Sequence, residues 1–427
     1  MQARSGSHIC QQLKVVFVAP SLIVVAEPDL DVFAESVREF FNSTLPAVLE
    51  GVSGRTARAK AYRAALFDAG LAGLDYPRAF GGQGLGAAHL GVFATESEGR
   101  VPSENSVFGI GVGMALPVVR DHCRDAVKKR FLRPGLRGDE IWCQLYSEPG
   151  AGSDLASLAT KAVLDGDEWV VTGQKVWTSG AMNADVAILL VRSDPEAPKH
   201  RGITMLIMPM QQPGVTVRPL RQMTGEAEFN EVFIDEARVP SDWVVGGVND
   251  GWRMAVALLA HERVQTGVAS MSKGGNERLW SRVPIPVVQL IELARQRDRL
   301  DDPLVRQDLA QLWINERVVG FLRQQGTSHP SIGKLWRTIQ GRAAAELAAE
   351  LAFPSSPAWV DGDPDATFFA YQILNCRGMS LGGGTDEIQR NTLGERALGL
   401  PREPAIDKNT PFRDLLRTSE RKTDGGQ

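Results

Sequence analysis

The 427-residue sequence has few cysteines, and neither its cysteines nor its histidines have a spacing typical of a metal site. Cys10, Cys123, Cys143 and Cys376 are far apart and form no Cys-x-x-Cys pair. The six histidines form no His-x-x-x-His pair. These absences argue against a zinc site and a disulfide framework, and they are typical of a protein of the reducing cytoplasm.

The sequence also lacks a long hydrophobic run and a strong charge of one sign. The apolar segment 15–26 is interrupted by Pro20 and Ser21 and is shorter than the roughly 20 residues that span a bilayer. It has no typical signal-peptide cleavage site, so we interpret residues 1–27 as an extension outside the main fold. The net charge of −4 predicts no general attraction to nucleic acid or to an anionic membrane.

Three regions of different hydrophobic pattern predict a multidomain α+β fold. Leu30, Phe33 and Val37 have helical spacing, whereas the strand-like runs around Asp165-Gly166 have the signature of a hairpin. We expect an N-terminal helical domain (28–138), a middle antiparallel β-sandwich or barrel (139–240), a C-terminal helical bundle (241–400) and a tail (401–427).

The segment Tyr146–Asp154, together with Trp177 after a predicted hairpin, is a candidate ligand site. Gly150 and Gly152 let a backbone come close to a ligand, and exposed amides in such a loop bind anionic oxygen. Ser147 and Ser179 offer hydroxyls to a ring edge, and the indole offers a flat surface. The residues therefore suit a flat anionic ligand; a glycine-rich turn beside a core tryptophan is the alternative.

The predicted helix 251–266 carries Glu262 and Arg263 among apolar residues on both sides. A carboxylate in a largely buried helix is costly to ionise, so we expect its pKa to be raised, as a general base for a weakly acidic C–H requires. A structural ion pair is the alternative for Glu262.

The glycine run 382–384 precedes a predicted helix that begins at Thr385-Asp386-Glu387. A glycine loop before a helix start can bind phosphate or carbonyl oxygen. The two acidic residues equally fit the role of first-turn carboxylates that stabilise the helix.

Three strings in this order resemble the signatures of the acyl-CoA dehydrogenase family: Ser147–Asp154, Gly173–Trp177 and Gly384–Asn391. The resemblance covers residues 28 to 405. It implies a helical–β–helical fold, FAD as cofactor, and a homodimer or homotetramer in which neighbouring subunits complete the flavin site. It also implies an acyl-CoA thioester as substrate, α,β-desaturation as reaction, and an electron-transferring flavoprotein as acceptor.

The resemblance also implies roles for individual residues. Ser147 matches the residue that hydrogen-bonds flavin N5, with Tyr146 beside it, and Trp177 matches the indole packed on the isoalloxazine. The further positions it assigns are Ser179 at the ring edge, Gly152 in the cofactor loop, Ser153 at the entrance for CoA and flavin, and Thr385 and Glu387 near the diphosphate and adenosine half.

The catalytic base departs from the commonest pattern of the family. Many members carry a glutamate immediately before the Gly-Thr of the third string, but Gly383 stands there. A minority place the glutamate on the helix that opens the last domain, followed by arginine, which matches Glu262 as base and Arg263 as a substrate-binding residue. The absence of a side chain at Gly383 also favours a branched or bulky acyl group.

A second departure is the absence of the Arg-x-x-Phe-Gly motif, whose arginine reaches the FAD of the partner subunit in most members of the family. Residues 273–290 do not contain it, and Arg278 or Arg282 could take its place. A non-catalytic or half-active subunit of a hetero-oligomer with a paralogue is therefore the alternative function. A third possibility, independent of this departure, is an oxidase or monooxygenase of the same fold. The identity of the acyl chain (straight, branched or sterol-derived) stays open.

Overall fold

The protein is described here by a computed structural model, which covers residues 29–269, 284–325, 329–353, 364–402 and 409–415. For residues 262–269 it describes the backbone helix only. The predicted extension 1–27 lies outside the described residues.

Helices form both the beginning and the end of the described chain. Within residues 29–138 they are α1 (Leu30–Glu39), α2 (Leu45–Leu49), α3 (Arg55–Asp68), α4 (Ala87–Glu96), α5 (Leu116–His122) and α6 (Asp125–Arg137). After the sheet come α7 (Gly251–Ala269), α8 (Val287–Gln296), α9 (Pro303–Gln324), α10 (Pro330–Leu351), α11 (Pro364–Met379) and α12 (Asp386–Thr392). No helix in these ranges is long and apolar enough to cross a membrane.

Between the helices, eight strands of the described chain form one twisted sheet. They are β1 (Trp142–Leu145), β2 (Lys161–Asp165), β3 (Glu168–Ser179), β4 (Val186–Arg192), β5 (Ile203–Pro209), β6 (Val215–Leu220), β7 (Phe229–Pro240) and β8 (Val244–Val245). The order is β6-β7-β3-β2-β4-β5-β8, and β1 pairs with β4 off this path.

The predicted helical–β–helical fold is confirmed, with one difference in the sheet. Neighbours such as β2–β3 and β4–β5 are antiparallel as expected, but β1 and β2 both run parallel to β4. The hairpin between β2 and β3 turns at Gly166–Asp167, with Gly166 at φ +64° and Asp165 opposite Glu168. Glycine adopts this left-handed conformation without steric strain, which explains the predicted turn.

Strand β4 separates two hydrophobic cores, because every one of its side chains is buried. Ile188 and Leu190 face a core that includes Phe131 of α6 and Leu258 of α7, whereas Leu189 faces the interior of the β domain. Successive side chains of a strand point to opposite faces, so β4 fixes the helical domain and the β domain to each other.

The C-terminal helices have a core of their own. It contains Leu290 of α8, Leu309 of α9, Leu347 of α10 and Phe369 of α11, each buried. These helices form a bundle, as the sequence predicts.

The packing of α6 against the sheet can be tested by substituting Phe131. Its ring is fully buried and contacts Trp142 and Trp243 edge-on, with centroid distances of 5.6 and 4.8 Å. We expect Phe131→Ala to lower the free energy of unfolding by about 3–5 kcal/mol, because it leaves a cavity in a packed core. Urea unfolding measures the change, and Val32→Ala at an exposed position of α1 is the control. Equal midpoints for the two variants would contradict this role.

Candidate active site

The loop after β1 lies directly against β3. The backbone carbonyl of Ser147 accepts a hydrogen bond from the amide of Val176 at 2.9 Å. Glu148 and Ala151 exchange two backbone hydrogen bonds of 3.0 Å, which close the turn around Pro149 and Gly150. The two predicted halves of the ligand site, Ser147 and the strand that carries Trp177, are therefore adjacent.

Trp177 is presented to the outside of the sheet in an unusual backbone conformation. Its side chain is 58% exposed and its φ is +60°, at a point where the register of β3 against β7 shifts. Its ring touches Phe229 edge-on, with centroids 5.8 Å apart. A bulky residue at positive φ is strained, and such strain is typical of functional sites. The alternative of a core tryptophan is excluded by this exposure.

The loop beside Trp177 leaves room for a ligand. Gly150 and Gly152 are exposed, and a Cβ built on either would meet no atom within 4 Å. Ser153 is exposed next to them, and Ser179 is half-buried at the end of β3. The hydroxyl of Thr178 is buried and has no hydrogen-bond partner in the described part of the chain. Open space, exposed hydroxyls and a flat ring thus occur together.

A buried ion pair supports this loop from beneath. Lys175 is completely buried, and its Nζ donates to Glu148 Oε1 at 2.8 Å and to the carbonyl of Tyr146 at 3.1 Å. Glu148 also accepts hydrogen bonds from the amides of Ala159 and Thr160, at 2.7 and 2.9 Å. Lys175 therefore holds the residues on both sides of Ser147.

The pKa shifts of the pair indicate that both groups are charged at neutral pH. Burial lowers the pKa of Lys175 to about 8, against the stabilising effect of Glu148, and the neighbouring Arg192 lowers it further. Burial alone would raise the pKa of Glu148, but the charge of Lys175 and the amide hydrogen bonds outweigh it and hold that pKa below its usual 4.5.

Arg192, at the end of β4, binds the part of the loop that follows Ser153. Its buried guanidinium donates to the carbonyls of Ala156 and Leu158 at 2.6 and 3.2 Å and to that of Lys199 at 2.7 Å. Lys199 in turn forms an ion pair of 2.9 Å with Asp154. The segment that follows Ser153 is held by two cationic side chains.

The sequence reasoning did not identify Glu148, Lys175 or Arg192 as supporting residues. A lysine directly before Val176 and Trp177 in a predicted strand was the available signal, since an unpaired charge is rarely buried. The partner could not be identified, because Glu148 approaches Lys175 only through the pairing of the loop with β3.

The third predicted string forms a helix start that is anchored to α10. The Thr385 hydroxyl accepts a hydrogen bond from the amide of Ile388 at 3.3 Å and caps α12. The carboxylate of Asp386 is bound by Lys334 and Thr338 at 2.8 and 2.9 Å, whereas Glu387 is exposed. Asp386 is thus structural, and Glu387 has the exposure that a ligand contact requires.

Gly383, at the place of the common glutamate, has φ +66°, and Gly384 has φ +83°. A Cβ on Gly384 would lie 2.8 Å from Nε2 of Gln389. A side chain at either position would be strained, so this loop is built for glycine.

The predicted base lies on α7, whose backbone is helical from Gly251 to Ala269. The side chains of Glu262 and Arg263 lie outside the described residues, as do Arg278 and Arg282 entirely. The described part of α7 is less uniformly buried than predicted: Met254, Ala255 and Leu258 are fully buried, whereas Trp252 is half-buried. Within the described ranges, no group of three or more His, Cys, Asp or Glu side chains is arranged to hold a metal ion.

The ion pair gives a prediction for stability. We expect Lys175→Met to lower the free energy of unfolding by about 3–5 kcal/mol, because it leaves a charged Glu148 buried without its cation. The double variant Glu148→Gln/Lys175→Met should recover part of this loss. Urea unfolding measures both, with Lys161→Met, an exposed lysine of β2, as control. A Lys175→Met midpoint equal to that of the control would refute the prediction.

The same pair predicts a dependence on pH. Because the folded pKa of Glu148 lies below 4.5, its contribution to stability is complete above that pH. It is lost as the pH falls through the lowered value. The difference in unfolding free energy between wild type and Glu148→Gln should therefore shrink on acidification. A difference that is constant from pH 7 to pH 3 would contradict this assignment.

Comparison with known proteins identifies the family of the chain. The family model of the acyl-CoA dehydrogenase N-terminal domain matches residues 27–139, and that of the middle domain matches residues 143–237. The chain is 38% identical to acyl-CoA dehydrogenase IpdE1 of Mycobacterium tuberculosis over 88% of this chain and 99% of that protein. FadE29 of the same organism is 29% identical over 86% and 96%.

Solved structures agree as well. The Tcur3481-Tcur3483 steroid ACAD matches with a TM-score of 0.68 and 28% identity over 88% of this chain and 99% of that chain. The ChsE4-ChsE5 complex from Mycobacterium tuberculosis matches with a TM-score of 0.64 and 27% identity over 90% and 100%. The chain is therefore an oxidoreductase of the acyl-CoA dehydrogenase family.

Proposed function

We propose that the protein catalyses the FAD-dependent α,β-dehydrogenation of an acyl-CoA thioester to the 2-enoyl-CoA. The observation that carries this proposal is the exposed indole of Trp177, held at positive φ beside the Ser147 loop. A strained, exposed aromatic ring at a shift in strand register is typical of a surface that receives a flat ligand.

The residues around Trp177 fit the isoalloxazine ring of FAD. Trp177 covers one face of the ring, and the hydroxyls of Ser147 and Ser179 bind polar atoms at its edge, with Tyr146 packed beneath. The open space at Gly152 supports a close approach of the backbone to the cofactor, and Ser153 lies toward the CoA side. Thr385 and Glu387 are assigned to the diphosphate and adenosine half.

The cofactor and the protein have different roles in the reaction. When bound, FAD supplies the hydride acceptor at N5 for the hydrogen that leaves the β-carbon. Glu262 takes the α-proton of the thioester, and Arg263 binds the substrate. Ser147, whose neighbours on both sides are held by Lys175, would offer its hydroxyl to N5. A fixed donor needs no reorganisation as charge develops, which is how an enzyme lowers the barrier.

Two observations support Glu262 rather than position 383 as the source of the base. Gly383 and Gly384 adopt positive φ, so a glutamate in that loop would be strained. On α7, helical spacings of seven and four place position 262 on the face of the buried Ala255 and Leu258.

A bulky acyl group is the substrate class that we propose. The relatives include proteins named steroid ACAD, and the absence of a side chain at Gly383 leaves additional space. We place this chemistry in the cytoplasm, with an electron-transferring flavoprotein as acceptor.

A hetero-oligomer is the second candidate for the assembly. Two of the similar structures are complexes of two differently named proteins. The described part of α9 also presents apolar side chains to the outside, among them Trp313, Val318 and Phe321. In this alternative, the chain is a non-catalytic or half-active subunit beside a paralogue. A fully flavinated, active homo-oligomer would exclude it, and a flavin content below one per chain would favour it.

The test of the reaction is anaerobic bleaching of the bound flavin by a panel of straight, branched and steroid-derived acyl-CoA thioesters. We expect bleaching by at least one bulky thioester, and a rate about 10²–10⁴-fold lower for Glu262→Gln, because a general base contributes that much. The control is Glu346→Gln on the exposed side of α10, with the FAD content measured for each variant. Wild-type bleaching rates in Glu262→Gln would disprove this role, and no bleaching by any thioester would disprove the proposed function.

The role of Trp177 is tested by cofactor affinity. We expect Trp177→Ala to weaken FAD binding about three- to tenfold, because the stacking contact is lost. Phe353→Ala is the control, since Phe353 is 70% exposed just after α10. Fluorescence titration of the apoprotein with FAD measures both. If the two variants bind FAD equally well, Trp177 does not contact the cofactor.

A further inference from the structure

The C-terminal segment 409–415 lies on the connection between β4 and β5. The amide of Phe412 donates to the carbonyl of Ala197 at 3.0 Å, and the amide of Arg413 donates to that of Pro195 at 3.1 Å. Pro411 and Pro198 form a β-bridge. We call this segment the C-terminal strap. The sequence predicts only a tail over residues 401–427, so this contact with the β domain was not predicted.

Phe412 is the anchor of the strap. It is only 3% exposed, and its ring centroid lies 3.9 Å from the guanidinium carbon of Arg192. Arg413 adds an ion pair with Glu196, but both side chains are half-exposed, so this pair contributes little. The ring therefore shields from water a cation that the β domain has already buried.

Arg192 connects the strap to residues 150–158, which we call the cofactor loop. Its Nη2 donates to the carbonyls of Ala156 and Leu158, which lie just after Ser153 in the chain. Its Nη1 donates to the carbonyl of Lys199, whose ammonium binds Asp154. The hydrogen bonds that Arg192 donates are stronger when water is kept from the guanidinium.

We propose that Phe412 is a positioning residue, which covers Arg192 and thereby holds the loop 150–158 in the arrangement that binds FAD and acyl-CoA. The inference rests on the proposed function for the identity of these ligands. Without the ring, water reaches Arg192 and competes with the carbonyls of Ala156 and Leu158. The loop then samples open arrangements, and both ligands bind less tightly while the chemistry at the bound substrate is unchanged.

The direct test is amide hydrogen exchange of the cofactor loop in full-length, FAD-loaded protein without substrate. The amides of Ser157 and Leu158 donate to the carbonyls of Asp154 and Leu155 at 3.0 and 3.1 Å. We expect Phe412→Ala to accelerate their exchange about tenfold, since a buried cation–π contact is worth up to that factor. The KM for acyl-CoA should rise about tenfold with kcat within roughly twofold of wild type. Phe412→Tyr, which keeps the ring, should behave like wild type.

Phe369→Ala is the control for a general loss of stability, because Phe369 is buried in the C-terminal bundle away from this contact. In Phe369→Ala, the exchange rates of the Ser157 and Leu158 amides should change no more than those of the amides of β2 and β3. The proposal is overturned if Phe412→Ala leaves the exchange at its wild-type rate, or if Phe369→Ala accelerates it equally. Exchange needs no substrate, so it decides the role of the strap even if no acyl-CoA bleaches the flavin.

A charge reversal tests the strap without removing a buried ring. Arg413→Glu should accelerate exchange of the loop roughly two- to threefold, because it replaces attraction to Glu196 by repulsion. The double variant Glu196→Arg/Arg413→Glu should return to the wild-type rate. Identical rates in all three proteins would show that the loop does not depend on the contact between Arg413 and Glu196.

Discussion

The site depends on one buried ion pair, between Lys175 of β3 and Glu148 of the loop after β1. A charged lysine without access to water is stable only if its partner and its hydrogen bonds are in place. Lys175 therefore fixes the carbonyl of Tyr146 and the carboxylate of Glu148, on either side of Ser147, and Glu148 fixes two amides just before β2. The ion pair thereby places Ser147 and, through β3, Trp177, two of the residues proposed to contact the flavin.

The arrangement also explains how an exposed tryptophan can be held under strain. The register of β3 against β7 shifts between Lys175 and Thr178, and Trp177 lies inside that shift. On one side of the shift, Lys175 is anchored by its ion pair. On the other side, Thr178 pairs with Asn230 in the regular ladder. Backbone strain persists only where the surroundings fix it, and here both flanks are fixed by contacts that would have to break first.

The fold was largely predictable because its signals are local. The Asp165-Gly166 hairpin, the apolar runs of β4 and β5 and the helical periodicity near Leu30 each depend on neighbouring residues in the chain. Strand β1 was missed, since four residues at a domain junction give no pattern. The ion pair of Lys175 and the contact of Phe412 with Arg192 were also missed, because they join segments that are distant in sequence. Glu262 stays a prediction, with only its place on α7 described.

The strap has a consequence for the order in which the protein matures. Loop 150–158 is synthesised well before Phe412, and domains of a growing chain fold as units from the N-terminal side. While the later residues are still being added, the β domain can form its strands, but Arg192 has no ring above it. With the proposed role of Phe412, the cofactor loop reaches its final shape only after the C-terminal bundle and the strap have been made. Tight cofactor binding would then be a late event in biosynthesis, coupled to synthesis of the strap.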